Sequence, residues 1–352
     1  MIVYWLMLLV PALLALPAVA ADRRGPNFAL AIILCVFFLL MAFRQTGGDY
    51  LNYVTFTELI EYRNIDFVIK QTEILYGLLN YISVNLGAGI YGVNVVCAII
   101  VLYSLYRFVR EEPYPLLSVF VATGYFIIVV AIGYSRQGVA IALLMWGITY
   151  LRKGKILPYA AILLLALGFH TSAAIGVPLL MFGVRIRNRP LRLVVSLALV
   201  SVALLGVYAL FFDTFDTYIR GYVETTGISS SGAVFRIAVS VVAATLFLIY
   251  RKRLAVSDQR IWTAVALLTF ASLPLFFVST TVVDRIGLYL LPLQIIVFGR
   301  LPAMISVASR RAFVAVGIVI AYIASFWVWM FVGTFAQKYW LPYENLLFGT
   351  FP

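Results

Sequence analysis

The chain has 352 residues, 64% of them hydrophobic and only 11% charged, with a mean hydropathy of +1.04. A soluble domain carries about 25% charged residues, so the composition excludes a soluble globular protein and indicates a chain that crosses a membrane many times. The net charge of +12 would suggest a nucleic-acid partner in a soluble protein. Here Lys and Arg sit in short clusters between apolar runs, which the cytoplasmic bias of basic residues explains, and no nucleic acid is implied.

The apolar runs are long rather than alternating, so helices are the expected spanning elements. Segment one covers Ile2–Ala20 and ends Pro17-Ala18-Val19-Ala20-Ala21. Ala-Val-Ala resembles a signal-peptidase site, but no Lys or Arg precedes the apolar core, so a retained helix is expected. Segment two runs from Phe28 to Phe43. A polar stretch, 44–87, follows as an expected external loop. Within it the half-apolar run Ile74–Val84 is too short to span and is expected to be a re-entrant or interfacial helix. Segment three is Ala88–Phe108, four Leu116–Ile132, five Tyr134–Leu151, six Ile156–Phe169 and seven Ser172–Val184. Segment eight is Leu193–Phe212, before a second expected external loop, 213–232. Segments nine to twelve are Ala233–Tyr250, Ile261–Val283, Ile286–Phe298 and Ala312–Thr334, and 335–352 is an expected external tail. Cys35 and Cys97 lie in apolar segments and read as buried small hydrophobes, with no disulfide implied. The whole of 1–352 reads as one integral membrane domain without a clear internal repeat.

Twelve crossings put both termini on one side. Of the 26 Lys and Arg, 18 fall in the turns 21–27, 107–115, 152–155, 185–192, 251–260 and 299–311. The other 8 are Arg44, Arg63, Lys70, Arg136, Arg220, Arg236, Arg285 and Lys338. That bias places the turns in the cytoplasm and both termini outside. The basic turn Arg152-Lys153-Gly154-Lys155 joins segments five and six. Arg136 opens the first of these and His170, the only histidine, closes the second, so both emerge on the outer surface.

Topology delivers further groups to that surface. Arg44 and Asp49 follow segment two, Gln137 adjoins Arg136, and Asp284 and Arg285 lie at the expected bend between segments ten and eleven. Charges near lipid cost a few kcal/mol at the bilayer centre, so they tend to be paired or functional. Any single Arg at a helix end is equally well explained by snorkelling to headgroups. The conjunction of one His, several Arg and one Asp behind Gly47-Gly48 carries the argument. The planar fork of Arg suits a diphosphate. His170 and Asp49 are the candidate proton acceptors. Tyr50, Tyr53, Tyr62, Tyr218, Tyr222, Tyr339, Trp340 and Tyr343 are expected to meet sugar rings or to form an interfacial belt.

Five short runs resemble the EpsG-like family of Wzy-type polysaccharide polymerases. They are Gly48-Asp49-Tyr50-Leu51-Asn52-Tyr53, Ser135-Arg136-Gln137-Gly138-Val139-Ala140-Ile141-Ala142, Phe169-His170-Thr171-Ser172-Ala173, Asp284-Arg285-Ile286-Gly287-Leu288-Tyr289 and Trp340-Leu341-Pro342-Tyr343. They occur in family order and span nearly the whole chain, while 213–232 matches no motif. The resemblance implies an all-α polytopic enzyme of the bacterial cytoplasmic membrane with the multi-helix, lipid-donor (GT-C-like) glycosyltransferase architecture. Its substrates, as donor and acceptor, would be undecaprenyl-diphosphate-linked oligosaccharides joined on the outer face. It implies no nucleotide sugar, no cofactor and no tightly held metal. A flippase and a chain-length regulator of the same pathway are the implied partners.

On this expectation Arg136 and Arg285, helped by Arg44, hold the leaving diphosphate, and His170 or Asp49 takes the acceptor proton. Gln137, Tyr50, Tyr53, Asp284, Tyr289 and Tyr343 would contact substrate. Alternatives are a ligase moving a lipid-linked glycan to another acceptor, a transporter or flippase of lipid-linked sugars, and, third, a membrane acyltransferase. A metal-dependent variant with Asp49 and Glu73 as ligands also stays open.

Overall fold

The computed structural model describes residues 1–184, 186–223, 233–254, 256–257, 259–277 and 280–351. It is an all-α polytopic membrane protein, because in hydrocarbon an apolar segment satisfies its own backbone best as a helix. Two compact units are present, one of residues 1–142 and 298–352 and the other of residues 143–297.

The first unit contains α1 (Ile2–Ala20), α2 (Asn27–Ala42), α3 (Tyr50–Ile60), α4 (Ile65–Gln71), α5 (Ile74–Asn85), α6 (Gly89–Val109) and α7 (Pro115–Ala122). α7 continues as π-helical turns over Thr123–Ala131. α8 (Ser135–Leu151) begins in this unit and ends in the other. α1 packs on α7 and on the late helix Ala308–Val332, α2 packs on α6, and α3 and α5 pack together and on α6.

The second unit holds α9 (Ile156–Phe169), a 3-10 helix over Thr171–Gly183, α10 (Arg189–Val223), α11 (Ala233–Tyr250) and α12 (Gln259–Ser272). A 3-10 stretch, Leu273–Phe277, leads towards α13 (Thr280–Leu288), and α14 (Leu291–Arg300) follows. The 3-10 helix lies between α9 and α10, and α11 packs on α12 and α13. After a 3-10 turn at Leu301–Met304, the chain completes the first unit with α15 (Ala308–Val332), α16 (Thr334–Tyr339), β1 (Tyr343–Asn345) and β2 (Gly349–Phe351).

Among the described residues, six helical stretches are long and apolar enough to cross a bilayer: Ile2–Ala20, Gly89–Val109, Arg189–Ala209, Gln259–Phe276, Val283–Met304 and Ala308–Val332. Their outward faces keep large apolar side chains, such as Leu13, Leu204 and Trp327, exposed. Contiguous apolar surface of this kind suits lipid rather than water.

Segments one, six and nine are helices over the expected residues. Four expectations are corrected. Segment seven is a 3-10 helix, Thr171–Gly183. At about 2.0 Å rise per residue its 13 residues reach about 26 Å, against about 20 Å as an α-helix. Segment eight does not end at Phe212: α10 runs on to Val223, so of the expected loop 213–232 only 224–232 lies beyond that helix, and it falls outside the described residues. Segment ten is not one helix. Its helix tightens to 3-10 at Leu273, next to Pro274, which cannot donate a backbone bond. Asp284 and Arg285 therefore sit inside α13, and the bend comes later, at Tyr289 and Leu290, just before Pro292 in the first turn of α14. Cys97 is buried, but Cys35 is exposed on the outer side of α2. The expected tail contains the short helix α16 and the β1–β2 hairpin, which bonds to the α2 exit.

Candidate functional site

The chain leaving α2 is held from three directions. Gln45 N–H donates to Glu344 O (2.8 Å), Leu346 N–H to Phe43 O (2.8 Å), and Arg44 forms a backbone bridge with Asn345. The C-terminal hairpin thus takes 43–45 as an extra strand. Gly47 has φ +135, and a Cβ there would lie 2.7 Å from Ile132 O. Gly47 N–H donates to Tyr339 O (2.9 Å) and Asp49 N–H to Gly133 O (3.0 Å). Gly48 and Gly133 both lie against the Trp340 ring, so the two glycines of the loop and the one opposite permit backbone to meet backbone and indole.

Trp340 is buried, and its Nε1–H donates to Ile128 O (2.9 Å) in the π-helical stretch. Tyr4 donates to Trp340 O (3.0 Å) and stacks edge-on with Tyr343, whose hydroxyl donates to Leu40 O (2.8 Å). Tyr343 is fully buried, so its role is to brace the α2 exit rather than to present a ring to solvent.

Arg44 is 2% exposed. Its Nη1 donates to Asn94 Oδ1 (3.1 Å) and its Nη2 to Ser135 Oγ (2.6 Å), while Nε is buried without a partner. Among the described residues no carboxylate pairs with it, and burial pulls its pKa below the ordinary guanidinium value, opposed by the nearby Tyr53, Cys97, Tyr76 and Tyr343. Removing a guanidinium from water without a counter-charge is costly.

Arg136, in the first turn of α8, donates from Nη1 to Glu73 Oε2 (3.0 Å) and Thr72 Oγ1 (3.1 Å). Its side chain is 28% exposed, that of Glu73 2%. The guanidinium carbon lies 5.9 Å from the Tyr53 ring centre and 5.6 Å from that of Tyr76, within cation–π range. Gln137 is buried beside it. Asp49 begins α3, but its side chain makes no cap bond. Its carboxylate accepts a long bond from Tyr53 (3.4 Å) and, among the described residues, forms no ion pair. Tyr50 is half-buried, and burial with Tyr91 alongside pushes its hydroxyl up to about 12.

In the second unit, His170 ends α9 in an extended conformation (φ −159, ψ 122) and caps the following 3-10 helix. Its Nδ1 accepts from Ser172 N–H (3.2 Å) and lies 2.9 Å from Ser172 Oγ. Ser172 Oγ is in turn 2.8 Å from the hydroxyl of Tyr289 at the end of α13. Asp284 and Arg285 are carried by that same helix.

The expected residues therefore divide. Arg44, Asp49, Tyr50, Tyr53, Arg136, Gln137 and Tyr343 belong to the first unit; His170, Asp284, Arg285 and Tyr289 belong to the second. Glu73, weighed in the sequence as a metal ligand, is the counter-ion of Arg136. Asn94, Ser135, Thr72, Ser172 and Asn345 were missed as partners. Asn94 alone had a signal, as an amide within an otherwise apolar segment.

These features define a polytopic helical membrane protein with a cationic, tyrosine-lined cluster at the ends of its helices. The EpsG family model matches residues 27–345, and the chain belongs to that family, which is one of Wzy-like polysaccharide polymerases. A search of curated proteins and one of solved structures each found no match.

Proposed function

We propose that this protein polymerises undecaprenyl-diphosphate-linked oligosaccharide repeat units on the outer face of the bacterial cytoplasmic membrane. The observation that carries the reading is Arg44, a buried guanidinium held, among the described residues, by the neutral groups of Asn94 and Ser135, which shares Tyr53 and Tyr76 as neighbours with Arg136. A guanidinium whose printed partners are neutral suits an anion brought by the substrate, and the diphosphate of a lipid-linked sugar is such an anion. Arg136 contacts the diphosphate, Arg44 adds to the field from behind it, and Arg285 contributes on the grouping that basic-residue bias assigns to the outer surface. Charge grows on the diphosphate as the glycosidic bond breaks, so fixed cations there favour the transition state.

The acceptor hydroxyl loses its proton to Asp49 or His170. Of the two, the Asp49 carboxylate has, among the described residues, no cation bonded to it and no capping duty. Tyr50 and Tyr53 border it. Asp284 and Tyr289 are assigned to substrate contacts on α13. Both termini and the stretches 44–87, 213–232 and 335–352 are assigned to the outside of one membrane domain of twelve crossings with GT-C-like architecture. A flippase would supply the substrate, and a chain-length regulator would limit the product.

The test uses the purified protein in lipid vesicles with a synthetic undecaprenyl-diphosphate-linked repeat unit. A ladder of longer glycans with release of undecaprenyl diphosphate is the expected result. Transfer only to a non-glycan acceptor would make the protein a ligase, and no turnover of the donor would end the reading.

A further inference from the structure

Arg44 pairs with Asn345 in antiparallel register, and the flanking bonds, Gln45 N–H to Glu344 O and Leu346 N–H to Phe43 O, fix that register. Gln45 therefore stands opposite Glu344. Side chains alternate along a strand, and opposite residues share a face about 5 Å apart. Arg44 and Asn345 take the inner face, where they are 2% and 1% exposed. Gln45 and Glu344 take the other face and are half-buried. Thr350, opposite Glu344 in the hairpin, is exposed and continues the row on that face. The row reads amide, carboxylate, hydroxyl across three strands.

Two half-buried tyrosines flank it. Gln45 Nε2–H donates to the hydroxyl of Tyr91 (2.7 Å) in the first turn of α6. The hydroxyl of Tyr50, at the start of α3, lies beside that of Tyr91 and feels the charge of Glu344. The α2 exit, α3, α6 and the C-terminal hairpin thus bring these groups together from distant parts of the chain. Backbone bonds hold the strand pairing, so the fold does not require a carboxylate there. Among the described residues the Glu344 side chain makes no ion pair and accepts no hydrogen bond. Asp49 lies four residues beyond Gln45, at most about 14 Å of extended chain away. Its neighbour Tyr50 reaches Tyr91, so Asp49 stands at the edge of the same face.

We propose that Gln45, Tyr50, Tyr91, Glu344 and Thr350 form the subsite for the acceptor sugar, a neutral pyranose whose hydroxyl Asp49 deprotonates. This rests on the polymerase reading for the acceptor role, whereas the sugar chemistry follows from the row itself. A pyranose has hydroxyls around its rim and C–H groups on its faces. Glu344 takes hydroxyl protons, while the Gln45 amide and the Tyr91 and Thr350 hydroxyls both donate and accept. A tyrosine offers an apolar ring to the C–H face and a polar tip to the rim. A site that bonds a particular hydroxyl rejects the sugar that lacks it there, because its own polar group is left unpaired. Glu344 likewise rejects a sugar carboxylate by like charge. The strand pairing therefore sorts charge: the cation Arg44 on its inner face, and an anion that favours a neutral sugar on the other.

The test uses the full-length protein in vesicles of phosphatidylethanolamine and phosphatidylglycerol. Saturation-transfer NMR reads binding of the lipid-free methyl glycosides of glucose, galactose, N-acetylglucosamine and glucuronic acid. At least one neutral glycoside should receive saturation and the glucuronide none. Tyr91→Ala should remove the neutral signal, and Glu344→Gln should admit the glucuronide. Turnover is measured with a lipid-linked repeat unit as donor and its water-soluble methyl glycoside as acceptor. Glu344→Gln should raise the acceptor KM about tenfold or more and Tyr91→Phe about two- to tenfold, as for one hydrogen bond to a charged and to a neutral group. The donor KM should stay within about twofold, since neither group meets the diphosphate. An equal rise in donor KM, or an unmoved acceptor KM, would overturn the proposal. If wild type binds a glycoside but turns over no lipid-linked donor, the polymerase reading fails and the acceptor role falls with it, while the sugar-binding face stands. If it turns over donor but the variants change neither binding nor acceptor KM, the subsite fails and the polymerase reading stands.

Discussion

Replacing Arg136 by Lys separates its structural from its functional duty. The structural duty is the bond to Glu73, whose carboxylate is 2% exposed. An ammonium on a flexible stem can still meet Oε2, so Lys should preserve the ion pair and protein levels in the membrane should be normal. Arg136 is 28% exposed, which further limits any loss of stability. What Lys cannot supply is the planar fork, nor the stacking of a flat cation on Tyr53 and Tyr76. One lost charged hydrogen bond to a diphosphate oxygen is worth about 1.5–3 kcal/mol. At about 1.36 kcal/mol per factor of ten, that is roughly a 10- to 150-fold fall in kcat/KM. The assay is release of undecaprenyl diphosphate and glycan length from the reconstituted enzyme, beside the amount of protein in the membrane. Long polymer at a near-normal rate would refute the argument and leave Arg136 as an anchor for Glu73. Arg285→Lys should behave alike if it too meets the diphosphate.

Four further outcomes follow from named contacts. Asp49→Asn should cut turnover by about 10² to 10⁴ while donor binding persists; a change of only a few fold would leave the reaction without its base. Glu112 forms a two-pronged, buried ion pair with Arg300, including Nη2 to Oε1 at 3.2 Å. Glu112→Gln should therefore cost about 3–5 kcal/mol, read as an earlier thermal transition in detergent, and an unchanged transition would deny the pair any structural weight. Trp340→Phe deletes the donor to Ile128 O and should cost about 0.5–1.5 kcal/mol for the lost hydrogen bond, again read thermally, with Trp340→Tyr no better. For topology, a cysteine at Tyr339 should label from outside in intact cells and one at Gly154 should not. External labelling at Gly154 would turn Arg136 and His170 to the cytoplasm and remove the outer-face assignment.

Most helices were legible because apolar length is a strong signal: Ile2–Ala20, Ile156–Phe169 and Ala233–Tyr250 have the expected bounds. The type of helix was less so. A segment of 13 mostly apolar residues does not announce 3-10 winding. The end of α10 was misplaced because Asp213 and Asp216 look like a loop, although no Gly or Pro falls between Val207 and Arg220 to stop the helix. The site residues were legible as types and places in the chain, but not as partners. Gly47-Gly48 signalled a close approach without saying that Gly133 and Trp340 were on the other side. Glu73 looked like a metal ligand because a sequence does not show which cation faces a carboxylate; Arg136 does. The hairpin at 343–351 had no warning, since two three-residue strands bury little and acquire their register from the α2 exit they pair with.

The two arginines near Tyr53 differ in a way that bears on mechanism. Arg136 has a carboxylate partner and is partly exposed. Arg44 has neither, and is kept in place by Asn94, Ser135 and a backbone pinned by the C-terminal hairpin. A buried charge compensated only by neutral groups is expensive to fold around, and an apolar residue in its place would cost less if structure were its only task. The expense is consistent with a field that is completed when an anion arrives. It also explains why so much of the tail is committed to this corner. Without Trp340 and Tyr343 closing the α2 exit, water would reach Arg44 and screen it. Low local dielectric is what lets a cation without direct contact act on a departing diphosphate. On that argument the tail belongs to the catalytic apparatus through exclusion of water. Truncation before Trp340 should reduce turnover far more than it reduces donor binding; equal losses in both would reduce the tail to a structural brace.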